Sequence, residues 1–94
     1  MALLEFKVSG TKRTELTPGN EILNIDLKIS YAEFLSMTKH LVKPYRARFE
    51  LPDGNTFEAN VGFAKGAEAA ADARITMRNF KGEVPAGTMV HLLE

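Results

Sequence analysis

Apolar residues in this chain recur at every second position through most of its length. That period commits the chain to strands with one dry face and one wet face. The cleanest run is Leu23, Ile25, Leu27 and Ile29, set against Asn24, Asp26 and Lys28. Ala2, Leu4, Phe6 and Val8 alternate with Leu3, Glu5 and Lys7, and Ile75 and Met77 alternate with Arg74, Thr76 and Arg78. "TMVHLLE", 88–94, carries apolar groups on both faces, as a central or covered strand does.

The stretch "RFELPDGNTFEAN", Arg48–Asn60, defines a register as well as two strands. Tyr45, Ala47, Phe49 and Leu51 share one face of the first strand; Phe57, Ala59, Val61 and Phe63 share one face of the second. Directly opposed residues in an antiparallel pair lie on the same face. A two-residue turn at Asp53-Gly54 would set Leu51 against Thr56, apolar against polar. A three-residue loop, Pro52-Asp53-Gly54, pairs Phe49 with Phe57 and Ala47 with Ala59. Pro52 then opens a type I turn and Gly54 takes the left-handed bulge position. This register puts Arg48 opposite Glu58 and Arg46 opposite Asn60. An ion pair between Arg48 and Glu58 is a sufficient structural reason for both, worth a few tenths to about 1 kcal/mol.

Two segments break the two-residue period. "SYAE", Ser30–Glu33, is a capping box: the Ser30 hydroxyl accepts from the Glu33 amide while the Glu33 carboxylate reaches back. A helix is expected from there to Pro44, which stops it. Phe34, Leu35, Thr38, Leu41 and Val42 form its apolar stripe, and Lys39, His40 and Lys43 sit by its last turn, where cations meet the negative end of the dipole. "GFAKGAEAAADA", 62–73, is alanine-rich and is expected to form a second, short helix. "SGTKRTELTPGN", Ser9–Asn20, is polar with two glycines and a proline, and reads as a long loop.

The order is β-β-α-β-β-(α)-β-β, and most links suit hairpins. The expected fold class is α+β, mainly β: a twisted antiparallel sheet or small barrel of about six strands, covered by one main helix. Ninety-four residues make one small globular domain, 1–94, with a thin core that invites support from a partner.

Twelve basic and twelve acidic residues cancel, so nothing draws the whole chain to nucleic acid or to an anionic membrane. Cysteine is absent, which removes disulfides and thiolate metal sites. No apolar run approaches the roughly 20 residues of a membrane-spanning helix. "MALLEFKVSG" has no basic leader and carries Glu5 within its apolar stretch, so a soluble cytoplasmic protein is the expectation.

Catalytic chemistry finds little footing. His40 and His91 are single histidines without a partner at ligand spacing, and no Gly-x-Ser-x-Gly elbow occurs. Neither a catalytic residue, a metal site nor a cofactor is expected. "GFAKGA" offers Gly62, Lys65 and Gly66 between a strand and a candidate helix, the layout of an anion cradle, but it matches neither phosphate-loop pattern.

The remaining signal is basic: Lys39, Lys43, Arg46 and Arg48 in "KHLVKPYRAR", with Lys12 and Arg13 upstream. These six are the candidate partner-binding residues. The leading expectation is a non-enzymatic interaction or assembly module, bound to another protein or to itself as a homo-oligomer. Single-stranded nucleic acid is the alternative partner, with Tyr31, Tyr45 and Phe80 as the aromatics left for stacking. A domain for a small ligand or phosphate is the third reading.

Overall fold

The computed structural model describes residues 4–64 and 71–93. Six strands, β1 (Leu4–Thr17), β2 (Asn20–Ser30), β3 (Tyr45–Glu50), β4 (Thr56–Phe63), β5 (Asp72–Arg78) and β6 (Met89–Leu93), close into an antiparallel barrel in the order β1-β2-β5-β4-β3-β6. One helix, α1 (Tyr31–Thr38), follows β2. The inward positions are those the alternation marks: Phe6, Val8, Leu23, Ile25, Leu27, Ala47, Phe49, Ile75 and Met77 are all buried. The α+β, mainly β barrel is the architecture expected.

The β3–β4 hairpin has the register derived from its apolar faces. Phe49 pairs with Phe57, Ala47 with Ala59, Arg48 with Glu58 and Arg46 with Asn60. Pro52-Asp53-Gly54 forms the loop, closed by the Leu51 amide on the Asn55 carbonyl at 2.8 Å and the Gly54 amide on the Leu51 carbonyl at 2.9 Å. Gly54 adopts φ 93°, the left-handed conformation that a side chain would strain. The ion pair, however, is diagonal. Arg46, not Arg48, meets Glu58, at 3.1 Å, and also donates to Asn60 Oδ1 at 3.3 Å. A long arginine on a pleated, twisted pair reaches the diagonal neighbour as readily as the opposite one.

β6 lies between β1 and β3, with Val90 and Leu92 buried, as its two apolar faces imply. The barrel closes between β4 and β5 through two register pairs, Gly62 with Thr76 and Phe63 with Ile75. A Cβ on Gly62 would stand 2.9 Å from Thr76 Oγ1, so glycine admits the close approach there.

Three expectations are corrected. The stretch Ser9–Asn20 is not a loop. β1 continues to Thr17, turns through Pro18-Gly19 and returns as β2. A register irregularity at Ser9, whose hydroxyl donates to the Asp26 carbonyl at 3.1 Å, bends β1 away from β6 while it stays paired with β2. Every residue from Thr11 to Asn20 is exposed. This arm extends past the core, so its polar strand positions show no apolar alternation.

The helix is also shorter than its apolar stripe. It ends at Thr38, whose buried hydroxyl donates to the Phe34 carbonyl at 2.8 Å, and the Leu41 amide bonds the Thr38 carbonyl as the chain turns off. No basic residue falls in its last turn. The Ser30 half of the capping box forms, with the Glu33 amide donating to Oγ at 3.3 Å. Phe34 plugs the barrel end, its ring 5.2 Å from Phe6 and 4.8 Å from Phe63. Leu35 and Val42 face outward instead.

Finally, Gly62 and Phe63 belong to β4, and Asp72 and Ala73 to β5, where a second helix was expected. Ala64 and Ala71 are not helical either: the Ala64 amide donates to the Arg74 carbonyl at 3.0 Å, and the Ala71 carbonyl accepts from the Tyr31 amide at 2.7 Å. Residues 65–70, with Lys65 and Gly66 of the anion cradle, lie outside the described residues.

Candidate functional site

Strand direction gives the barrel two distinct ends. β2 descends from Asn20 to Ser30 and hands the chain to α1, so the helix caps the end opposite the β1–β2 arm. Tyr45 of β3, Leu93 of β6 and Asp72 of β5 reach the same helical end, since Arg46 pairs with Leu93 and Ser30 with Asp72.

The six candidate cations divide between these ends and the wall. Lys12 is exposed on the arm. Arg13, beside it, is a structural clamp: its guanidinium donates to the Phe80 carbonyl, to the Gly82 carbonyl at 2.8 Å and to Glu21 at 3.2 Å. This ties the base of the arm to the β5–β6 connection, where Val84 is buried in the core. Lys39 caps α1, Lys43 follows it, and Arg46 sits at the start of β3, so these three share the helical end. Arg48 is on the barrel wall, half-buried.

Arg48 belongs to a polar row that crosses the outer wall. Glu5, His91, Arg48 and Glu58 stand side by side on β1, β6, β3 and β4. His91 lies between carboxylates, its Nδ1 3.4 Å from Glu5 Oε1 and its Nε2 3.7 Å from Glu50 Oε1. Its ring is 11% exposed, and Nδ1 is buried without a hydrogen bond. The two carboxylates approach opposite ring nitrogens and do not converge. Among the described residues, no group of three or more His, Asp, Glu or Cys is placed to hold a metal ion. Sequence spacing could not show this row, because it is assembled from four strands.

Among the described residues, three of the four exposed large apolar side chains, Leu35 at 43%, Met37 at 41% and Val42 at 80%, lie on or just after the helix; the fourth is Leu16 on the arm, at 52%. Two clefts open at the helical end. One, of about 460 Å³, is lined by His40, Leu41, Val42, Lys43, Pro44, Arg46 and Leu93. The other, of about 310 Å³, is lined by Tyr31, Leu35, Lys43, Tyr45, Gly62, Phe63 and Ala64. Lys43 borders both, and among the described residues neither lining contains an acid. An apolar floor with a cationic rim suits a ligand that is apolar and anionic together.

Two of the three aromatics considered for base stacking are engaged with other rings. Tyr45 lies flat on Phe63, centroids 3.8 Å apart, and Phe80 stacks on Phe57 at 5.2 Å. Tyr31 is half-buried at the smaller cleft.

The arm has an open edge. β1 pairs with β6 only through Leu4–Lys7, so from Gly10 to Thr17 one side of β1 has no strand partner. Glu21 turns its amide and carbonyl toward Asn79, hence Ile22 turns to β1 and pairs with Thr14. Alternation then aims the backbone groups of Thr11, Arg13 and Glu15 away from β2. Lys12, the clamped Arg13 and a second irregularity at Leu16 blunt that edge against strand addition. What the arm offers is its tip.

No family model, no curated protein and no solved structure matches this chain. No helix among the described residues is long and apolar enough to cross a membrane.

Proposed function

We propose that this chain is a non-enzymatic protein-interaction module that associates with copies of itself through the ends of its barrel. The observation that carries the reading is the cleft of about 460 Å³ at the helical end, where Leu41, Val42, Pro44 and Leu93 give an apolar lining beside Lys43, with Val42 80% exposed. Leu35 and Met37 add exposed apolar side chains on the two flanks of α1. Exposed apolar groups rimmed by charge mark surfaces that a protein partner covers.

A protein fits this surface better than a nucleic acid does. Single-strand binders present free aromatic faces along one basic groove. Here Tyr45 and Phe80 are stacked on Phe63 and Phe57, and the six cations are spread over two ends and a wall.

Light scattering behind a sizing column, at low and high salt and over a hundredfold range of concentration, tests the reading. An oligomer that grows with concentration and survives moderate salt is the expected result. A chain that stays monomeric throughout sinks the self-association.

A further inference from the structure

We infer that the tip of the β1–β2 arm of one copy docks into the helical-end cleft of the next, so that copies join head to tail. This rests on the self-association proposed above and names the two surfaces that meet.

The two surfaces are complementary in chemistry. The tip presents Leu16, half exposed in the strand irregularity, next to Glu15, which has no ion-pair partner among the described residues. From Thr14 to Asn20 the tip has no cation. The larger cleft has the inverse make-up, with Leu41, Val42, Pro44 and Leu93 as apolar lining and Lys43 as the cation that meets the tip, Arg46 being already paired with Glu58. Leu16 would lie against Val42, and Glu15 against the Lys43 ammonium. Attraction across such a rim sets orientation and partner choice more than raw affinity.

The two surfaces are also placed so that no single molecule satisfies both. β2 spans the distance between them, and its eleven residues extend about 33 Å at ~3.3 Å per residue. That nearly matches the longest dimension of the molecule, 36 Å. Different patches at opposite ends make a heterologous contact, which propagates as a ring or a filament and does not stop at a two-fold dimer. The clamp from Arg13 to the Phe80 and Gly82 carbonyls holds the base of the arm, so the tip is presented in a fixed direction.

Sedimentation velocity on two variants and their mixture provides the test. The arm variant carries Glu15→Lys and Leu16→Asp; the cleft variant carries Val42→Asp and Lys43→Glu. All four positions are exposed, and unchanged circular dichroism and melting would confirm that both variants fold. Each variant alone is expected to sediment as a monomer at concentrations where the wild type forms larger species. Mixed one to one, they should form a species with the mass of two chains and no larger, because each still owns one intact surface. Two variants that assemble like the wild type would overturn the docking while leaving self-association in place. Variants that are monomeric alone and also fail to pair when mixed would place both patches in one symmetric interface, again against head-to-tail contact. A wild type that is monomeric at every concentration would remove the docking and the function reading together.

Discussion

Placing a methyl group at the barrel seam is the sharpest test of how this fold closes. Gly62→Ala adds a Cβ 2.9 Å from Thr76 Oγ1, inside ordinary van der Waals contact, at one of the two pairs joining β4 to β5. Gly62 has no positive φ, so alanine suits its backbone and by itself would stabilise the strand by about 0.5–1 kcal/mol. Overpacking costs about 1–3 kcal/mol, because Thr76 is β-branched and has few rotamers to retreat into. The balance is a net loss of about 1–2 kcal/mol, or roughly 5–10 °C in Tm for a domain of this size. Urea unfolding read by circular dichroism measures it, with an unchanged m-value confirming two-state behaviour.

A second background makes the reasoning refutable. Thr76→Ala deletes the clashing atom, so Gly62→Ala on that background should be neutral or stabilising by up to about 1 kcal/mol. The expected signature is this change of sign. If Gly62→Ala costs the same with and without Thr76, the seam contact is not what selects glycine, and the account of closure is wrong.

Gly54→Val forces a β-branched residue to φ 93° and should cost about 2–3 kcal/mol, seen as a lower denaturation midpoint. Phe34→Ala removes a ring that is 1% exposed and should destabilise by about 3–5 kcal/mol, enough to leave much of the chain unfolded by circular dichroism at 37 °C. Arg13→Lys keeps the charge but loses the fork that reaches both the Phe80 and Gly82 carbonyls. It should leave the unfolding free energy within about 1 kcal/mol while speeding amide exchange along residues 80–84; unaltered exchange there would contradict the clamp.

What could be read from the sequence follows the core. The β3–β4 register came through because each strand has one face pressed on buried side chains, and only one loop length keeps Phe49 opposite Phe57. The arm was missed for the same reason inverted. Thr11, Lys12, Arg13, Thr14 and Glu15 lie beyond the core, where no apolar alternation is required. The available signals were the β-branched threonines and the Pro18-Gly19 turn. The stripe through Leu41 and Val42 suggested helix past Thr38, but that period ran on into a segment whose Val42 is left exposed to solvent. Of the candidate site, the cations were visible and their grouping was not. That Lys39, Lys43 and Arg46 share an end while Lys12 occupies the other depends on which strands are neighbours in the closed barrel.

The place of β6 bears on how such a chain reaches its fold during synthesis. Residues 89–93 follow β1 to β5 in the chain and so leave the ribosome after all five, yet they supply the strand between β1 and β3. Until they arrive, Leu4–Lys7 and Arg46–Glu50 each present a bare backbone edge, and Phe6 and Phe49 lack Val90 beside them. Pairs such as Leu4 with Leu92 span nearly the whole sequence, so the loop entropy of closure is met before the contacts that reward it. A nascent chain stalled short of Val90 therefore displays two sticky edges at once, and the closing strand doubles as the step that takes the protein out of the reach of chaperones.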